Sequence, residues 1–300
     1  MKKKILILGA SGMFGHVLFG WLNNKNENDV YATVRSLTGI SDHFYPKLKE
    51  KIIIDVDAND EDSIIKSVSS VQPNVIINCI GLIKQLPISN DPLPAISINA
   101  RLPHLLAMIS RAANARMIHI STDCVFNGKM GLYKETDISN SEDLYGRTKY
   151  LGEVNYSHCV TLRTSIIGHE LKSKHGLIEW FLSQQNKIKG FTRAIYSGFP
   201  TIELARIISD YVIPNNELSG LYHVASQPIS KYELLSLVAR KYGKKIEIEP
   251  FDAFVQDRSL DASSFFSKTG YIAPSWDKLI TLMQDHYVEN TGGFYENIRG

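Results

Sequence analysis

Cysteine is scarce in this chain. Its 300 residues include only Cys79, Cys124 and Cys159, and no two of them form a CxxC pair. So few and widely spaced cysteines exclude a disulfide framework and a zinc knuckle. The histidines also lack HxH and HExxH spacing, so we predict no catalytic metal. The absence of a disulfide pattern is typical of a reducing compartment, and the sequence therefore favours the cytoplasm.

The chain also lacks an excess of charge of one sign and a long apolar run. The chain has 33 Lys and Arg against 31 Asp and Glu, a net charge of +2. This near balance argues against nucleic acid or an acidic membrane surface as a partner. No segment approaches the ~18 apolar residues of a membrane helix. With 44% hydrophobic and 21% charged residues, the composition predicts a soluble globular protein with a sizeable core.

Short apolar runs alternate with longer helical patterns in the first half of the chain. The predicted strands cover residues 4–8, 30–34, 51–54, 75–79, 117–121 and 159–163, and the predicted helices 13–23, 60–70, 93–114 and 141–156. Strands that alternate with helices in this way form βαβ units and parallel sheets. The pattern predicts an α/β fold, specifically a Rossmann-type doubly wound parallel sheet.

The first predicted strand leads directly into a glycine-rich turn with the spacing GxxGxxG. Gly9 and Gly12 allow the backbone to turn tightly and approach a pyrophosphate, and Gly15 allows the next helix to pack closely on the strand. The start of that helix offers free N–H groups to phosphates. A tight turn without a ligand is the alternative. The position after the first strand favours a dinucleotide site, with these predicted contacts: Gly9, Ser11, Gly12, Met13, Phe14 and Gly15.

The end of the second predicted strand discriminates between cofactors. An acidic residue there would indicate NAD, whereas this chain has Arg35, which can bind a 2′-phosphate. The sequence therefore favours NADP(H), with NAD(H) as the alternative, unless Arg35 is simply a solvated loop residue. Further predicted cofactor contacts follow the third and fourth strands: Asp55, Val56, Cys79, Ile80 and Gly81.

A candidate acid–base pair lies in the predicted helix over 141–156. Tyr145 and Lys149 are four residues apart, so the phenol and the ammonium share one helix face. The ammonium would lower the tyrosine pKa from about 10 and make Tyr145 a better proton donor. Thr122, at the end of the fifth predicted strand, would hydrogen-bond the substrate oxygen. The alternatives are that Tyr145 and Lys149 form a solvated pair on the helix surface and that Thr122 belongs to a strand-capping turn.

Four longer motifs and two weaker ones cover most of the chain: GASGMFGH, ISTDCVFNGKMGLYKETD, DLYGRTKYLGE and VTLRTSIIG, then SGFPTIELARII and DRSLDASSF. Together they resemble the extended short-chain dehydrogenase/reductase family, within it the nucleotide-sugar reductases of the dTDP-4-dehydrorhamnose reductase type. The resemblance implies a catalytic triad of Thr122, Tyr145 and Lys149. It also implies that Lys149 contributes to cofactor binding through the nicotinamide ribose, and that Asp123 contacts the sugar.

The resemblance extends to further residues, and the sequence also differs from the family pattern at some positions. It implies that residues 162–165 border the nicotinamide and gives Asn99 a structural or active-site role. Dehydratases of this family have Asp-Glu after the threonine, whereas this chain has Asp123-Cys124, which argues against the elimination of water. Arg193 and Arg258 are candidate cationic partners of the substrate, although Arg258 precedes a serine where the reductases often have proline.

These features together predict an NADP(H)-dependent reductase of a nucleotide-activated 4-keto-6-deoxy sugar, in deoxysugar precursor biosynthesis. A nucleotide-sugar epimerase or dehydrogenase is one alternative, and a non-catalytic NADP-binding regulatory subunit is another. We place the NAD(P)-binding domain at residues 1–165 and a smaller α/β substrate-binding region at 166–300, with segments free to return to the first sheet. The family resemblance also suggests a homodimer through the helix that carries Tyr145.

Overall fold

A computed structural model describes residues 2–38, 48–171 and 174–291. A seven-stranded sheet lies at its centre. The strands, in chain order, are β1 (Lys4–Leu8), β2 (Asp29–Thr33), β3 (Ile52–Ile53), β4 (Val75–Asn78), β5 (Arg116–Thr122), β6 (Cys159–Thr164), β7 (Ile166–Ile167), β8 (Lys187–Phe191), β9 (Ala194–Tyr196), β10 (Phe199–Pro200), β11 (Gly220–His223), β12 (Ile229–Ser230), β13 (Glu247–Phe251) and β14 (Gln256–Asp257).

The central sheet has the order β11-β6-β5-β4-β1-β2-β3, and all of its neighbouring strands are parallel. This is the strand order of a Rossmann fold, with a further parallel strand added beside β6. The predicted fold class is therefore confirmed. The connections change direction between β1 and β4, which opens a crevice at the carboxyl ends of these two strands.

Helices cover both faces of the sheet. They are α1 (Gly15–Lys25), α2 (Glu61–Val71), α3 (Pro92–Ala95), α4 (Leu102–Ala112), α5 (Leu144–Leu151), α6 (Leu177–Ser183), α7 (Thr201–Ile207), α8 (Lys231–Tyr242), α9 (Ser263–Thr269) and α10 (Trp276–Thr291). A π-helical segment, Ile96–Arg101, joins α3 to α4, and a second one, Ile208–Val212, continues α7. Among the described helices, none combines the length and the apolar character needed to cross a bilayer.

Strand β1 shows why the central strands are apolar throughout. Its Ile5 and Ile7 face one core layer, together with side chains of α1, α7, α8 and α10. Its Leu6 and Leu8 face the opposite layer, which contains side chains of α2 and α4. Because successive residues of a strand point to opposite faces, a strand that is covered on both faces needs an unbroken apolar run.

Helix α5 is shorter than the predicted helix over 141–156. Its N-terminus is set by Asp143, whose Oδ1 accepts a hydrogen bond of 2.8 Å from the Gly146 N–H. Its C-terminus is set by Gly152, where a Cβ would overlap the Asn99 carbonyl oxygen. Neither the capping bond nor the close approach at Gly152 is visible in the periodicity, and the predicted helix ends were wrong by several residues.

The second half of the chain returns to the central sheet. Strand β11 pairs with β6, and α7 packs against α1. The remaining strands form three small sheets: β7 with β10, β8 with β13, and β9 between β12 and β14. In the last of these, Ile195 is the register partner of both Ser230 and Asp257. The division near residue 165 remains a prediction, although β11 shows that later segments complete the first sheet.

Candidate functional site

The glycine turn lies at the carboxyl end of β1. Gly9 has a φ of +86°, and a Cβ there would lie 2.8 Å from the Ile80 Cγ1. A Cβ on Gly15 would overlap the Gly9 carbonyl oxygen, whereas one on Gly12 would be 3.5 Å from that oxygen, an ordinary contact. Gly9 and Gly15 are therefore required by the fold of the turn, while Gly12 leaves its outer surface open.

The turn presents its backbone at the start of α1. It is anchored by hydrogen bonds from Ala10 N–H to the Thr33 carbonyl (3.0 Å) and from Gly12 N–H to the Gly9 carbonyl (3.2 Å). The N-cap residue Phe14 makes no side-chain capping bond, and its ring is buried in the core. The first N–H groups of α1 thus have no capping side chain, which suits a phosphate. Predicted contacts of Ser11, Met13 and Phe14 would be made at this turn.

The other predicted cofactor residues follow β2, β3 and β4. Arg35 is exposed just beyond β2, and Val56 is buried with its N–H donating to the Val34 carbonyl at 3.2 Å. Asp55 is exposed and adopts a left-handed φ of +61°. Cys79 donates its N–H to the Leu8 carbonyl at 3.0 Å. The structure brings these positions to the same end of the sheet as the glycine turn.

Asn99 organises the loop that follows β4. Its buried amide oxygen accepts a hydrogen bond of 2.9 Å from the Leu82 N–H, so it fixes the segment after Gly81. A Cβ on Gly81 would lie 3.5 Å from the Asn99 Oδ1 and 3.8 Å from the Lys149 Nζ. Asn99 belongs to the π-helical segment, a distortion that often occurs at functional sites. This placement gives Asn99 a positioning role next to Lys149.

Thr122, Tyr145 and Lys149 meet at the carboxyl end of β5. The Tyr145 phenol lies close enough to the Thr122 side chain to interact with it. Lys149 is buried and donates from Nζ to the Ile120 carbonyl at 2.9 Å. Gly146, between them in sequence, allows α5 to approach closely, since a Cβ there would overlap the Cys124 carbonyl oxygen. The three residues predicted as a triad are therefore adjacent in the structure.

The protonation of this group differs from the sequence expectation. Burial raises the pKa of Tyr145, and the neighbouring Cys124 and Asp123 act in the same direction. The expected lowering of the Tyr145 pKa by Lys149 is therefore not found. Burial lowers the pKa of Lys149 to about 8, although Glu153 opposes this effect. The phenol is held in its protonated form, which is the form that can donate a proton.

Asp123 and Arg258 border the same group. Asp123 is buried, and burial raises its pKa against the opposing effect of Arg258. The Thr122 Oγ1 donates to the Asp123 Oδ1 at 3.2 Å. Arg258 donates from Nε to the Phe126 carbonyl at 2.9 Å and from Nη1 to the Cys124 Sγ at 3.5 Å. Arg193 lies just before β9 and is exposed; its predicted contact with substrate remains a prediction.

Arg163, one of the residues expected to border the nicotinamide, has several partners within the protein, and its role at the cofactor stays a prediction. It is buried, and its guanidinium forms two hydrogen bonds of 2.7 Å with the two carboxylate oxygens of Glu153. It also donates to Ser139 Oγ and to the His223 ring, both at 3.2 Å. Ser121 Oγ donates to the same Glu153 carboxylate at 2.7 Å. Arg163 thus ties β6 to β11 through His223 and to the segment after α5 through Glu153.

Two residues near Asp123 were missed by the sequence analysis. Lys231, at the start of α8, and Tyr196, in β9, both interact electrostatically with Asp123. The SxxE pattern of Ser230 and Glu233, which forms a capping box, could have marked the start of α8. No local pattern, however, shows that this helix begins near Asp123. Within the described ranges, no cluster of His, Cys, Asp and Glu has the geometry of a metal site.

A known protein family matches most of this chain. The model of a protein family described as RmlD substrate binding domain matches residues 2–269. The chain belongs to this family. The predicted membership of the extended short-chain dehydrogenase/reductases is confirmed, and so is the predicted class, an oxidoreductase.

Similar proteins carry two kinds of name. A dTDP-4-dehydrorhamnose reductase of Aggregatibacter actinomycetemcomitans is 27% identical over 241 residues, which cover 77% of this chain and 76% of the relative. The methionine adenosyltransferase 2 subunit beta of Bos taurus is 30% identical over 151 residues, 50% of this chain and 42% of the relative. The crystal structure of a dTDP-4-dehydrorhamnose reductase from Bacillus anthracis str. Ames in complex with NADP has a TM-score of 0.78 at 22% identity, covering 95% of this chain and 99% of that one. At this identity the structural similarity supports the fold.

Proposed function

We propose that this chain is an NADP(H)-dependent reductase of a nucleotide-activated 4-keto-6-deoxy sugar. The observation that carries the proposal is the meeting of Thr122, Tyr145 and Lys149 at the carboxyl end of β5. Strand β5 is next to β4, which forms the crevice with β1. An acid–base group thus lies beside a dinucleotide turn, and this combination supports a reaction that couples hydride transfer to proton transfer.

The glycine turn supports a bound dinucleotide. Gly9 and Gly15 have no room for a side chain, while Gly12 leaves the backbone accessible to a pyrophosphate. Arg35, exposed beyond β2, favours NADP(H) because a guanidinium can bind a 2′-phosphate. When bound, NADPH supplies the hydride. Lys149, beside Gly81 and Asn99, would hold the nicotinamide ribose.

The side chains then supply the proton and orient the substrate. Tyr145 donates its proton to the carbonyl oxygen of the sugar, and burial favours the protonated phenol that this step needs. Thr122 hydrogen-bonds the same oxygen and aligns it with Tyr145. Lys149, one helical turn from Tyr145, would act through the nicotinamide ribose and not by lowering the pKa of Tyr145. Asp123 and Arg258 lie where they would contact the sugar and its nucleotide.

The relatives support two candidate functions. The dTDP-4-dehydrorhamnose reductases support the reduction of a 4-keto sugar. The methionine adenosyltransferase beta subunits support a second candidate, a non-catalytic regulatory subunit. The adjacent Thr122, Tyr145 and Lys149 favour the reductase, because a purely regulatory surface would not need an acid–base group beside a cofactor turn.

An oxidation assay tests the proposal. Purified protein is mixed with NADPH or NADH and a panel of dTDP-, UDP- and GDP-linked 4-keto-6-deoxy sugars, and absorbance of the reduced cofactor is followed. We expect NADPH to be oxidised with at least one sugar. Tyr145→Phe should lower kcat by about 10²- to 10⁴-fold, the usual contribution of a general acid, and leave NADPH binding unchanged.

The control variant is Tyr150→Phe, since Tyr150 is an exposed tyrosine of the same helix. It should keep full activity. Full activity of Tyr145→Phe would contradict the mechanism. NADPH binding without oxidation of any panel member would favour the regulatory subunit, and interconversion of sugar epimers without net oxidation would favour an epimerase.

We infer a homodimer through α5 as well. Leu93, Met108 and Leu151, which lie on α3, α4 and α5, are each at least 60% exposed. Apolar exposure of this kind is typical of an association surface. Light scattering of the full chain after gel filtration tests the inference, since a monomer at micromolar concentration would contradict it.

A further inference from the structure

Lys231 is a cation without a partner at the candidate site. It is the first residue of α8, it is partly buried, and burial lowers its pKa. Among the described residues, its ammonium takes part in no hydrogen bond and no ion pair. Removing a charge from water without a partner is unfavourable, so such a lysine is typically retained for an anionic partner.

Arg258 stands in a similar situation. Its guanidinium donates to the Phe126 carbonyl and to the Cys124 thiol, two uncharged acceptors. Within the described part of the chain, it has no carboxylate at ion-pair distance. Lys231 and Arg258 repel each other electrostatically, and the charge of Arg258 lowers the pKa of Lys231. Two such cations at one site favour an anion between them.

The fold brings the two cations together from distant segments. Ser230 and Asp257 both pair with Ile195 of β9, one on each side of that strand. Lys231 and Arg258, the residues that follow them, interact electrostatically with each other. Both lie close enough to Asp123 to interact with it electrostatically. Asp123 accepts a hydrogen bond from Thr122. The two cations therefore lie near the position proposed for the reacting sugar.

The charges near the site leave a positive excess. A third cation, Lys84, is already paired with Asp143 at 2.6 Å. Asp123 is the carboxylate that interacts with Lys231, and it also interacts with Arg258. One carboxylate cannot neutralise two cations, and burial opposes its ionisation. An additional anionic group is needed for balance.

We propose that Lys231 and Arg258 bind the diphosphate of the nucleotide sugar, with Lys231 as a substrate-binding residue that sets affinity. The inference rests on the proposed function, because it assumes a nucleoside diphosphate attached to the sugar. A diphosphate supplies several oxygens and at least two negative charges, which can contact both cations at once. Since the pair lies beside Asp123, the sugar would extend from the diphosphate towards Tyr145.

Direct binding of dTDP and UDP tests this assignment without turnover. Isothermal titration calorimetry is carried out on the full chain saturated with NADP⁺, for wild type, Lys231→Met and Lys231→Arg. We expect Lys231→Met to weaken dTDP and UDP binding by about 10- to 100-fold, as for loss of a charge-assisted hydrogen bond. Lys231→Arg keeps the charge and should stay within about threefold of wild type.

Two further measurements separate binding from folding and catalysis. Lys66→Met, at an exposed lysine of α2, is the matched control and should bind dTDP as wild type does. With the substrate found in the oxidation assay, Lys231→Met should raise KM by a similar factor and leave kcat within about threefold. Thermal unfolding and NADPH affinity of the variant should match wild type.

The outcomes distinguish this inference from the proposed function. Unchanged dTDP affinity in Lys231→Met, or a lower kcat at unchanged KM, would overturn the inference while the reductase activity stands. Wild type that binds neither dTDP nor UDP would overturn it too. Lys231-dependent dTDP binding without oxidation of any panel sugar would support the diphosphate site and contradict the reductase.

Discussion

The two sides of the sheet crevice are built in different ways. On the cofactor side, around β1 and α1, the surface is backbone, and Gly9 and Gly15 matter because they lack a side chain. On the catalytic side, around β5 and β6, buried polar side chains do the positioning, as in the pair of Glu153 with Arg163. The cofactor side should therefore be sensitive to added volume, and the catalytic side to lost charge.

Removal of a charge on the catalytic side gives the largest expected effect. Glu153→Ala leaves the buried Arg163 guanidinium without its carboxylate and removes the acceptor of Ser121. We expect a loss of about 3–5 kcal/mol in the free energy of unfolding, measured by urea denaturation. The double variant Glu153→Leu with Arg163→Met removes both charges and should recover most of the loss. A cost below about 1 kcal/mol in the single variant would contradict the comparison.

Added volume on the cofactor side gives an intermediate effect. Gly15→Ala puts a methyl group against the Gly9 carbonyl and should destabilise the fold by about 1–3 kcal/mol. Gly12→Ala meets only an ordinary contact at 3.5 Å, so its stability should be near wild type. Its methyl group would instead stand where a pyrophosphate approaches, and NADPH binding measured by fluorescence should weaken about tenfold or more. Equal stability losses in the two variants would refute this division of roles.

A change of pH gives the smallest effect and sharpens the role of Lys149. Its pKa of about 8 means that the ammonium predominates below pH 8 and is lost as pH rises through that value. Tyr145 remains protonated over this range because its pKa is raised. At saturating NADPH, kcat/KM should therefore fall about tenfold per pH unit above 8.

Lys149→Arg provides the control for this profile. Arginine stays charged at all of these pH values, so the fall above pH 8 should disappear even though the maximal rate is lower. An identical fall in the arginine variant would assign it to a group other than Lys149.

The cofactor side could be predicted from sequence because its determinants are local. The spacing of Gly9, Gly12 and Gly15 and the apolar run of β1 are visible within a dozen residues. Tyr145 and Lys149 were also recognisable, since they are one helical turn apart. The same locality explains the error in protonation: sequence shows the lysine at i+4 but not the burial beside Asp123 and Cys124 that raises the pKa of Tyr145.

The substrate side depends on contacts that sequence patterns do not record. Strands β12 and β14 are two residues each, too short for any periodicity, yet their register with β9 places Lys231 and Arg258. The burial of Arg163 also depends on a segment that is distant in sequence. All six residues of β6 are buried, because β11 covers its outer edge from much later in the chain.

The late pairing of β11 with β6 has a consequence for synthesis on the ribosome. Arg163 and its partner His223 are 60 residues apart. At about 5–20 residues per second, a growing chain that has completed β6 waits several seconds for β11 to emerge. During this interval, β6 is an open edge that carries a buried-type arginine and unpaired backbone groups, the kind of edge to which other chains can add. Nascent chains halted between these two strands should therefore associate with other chains more readily than the complete protein.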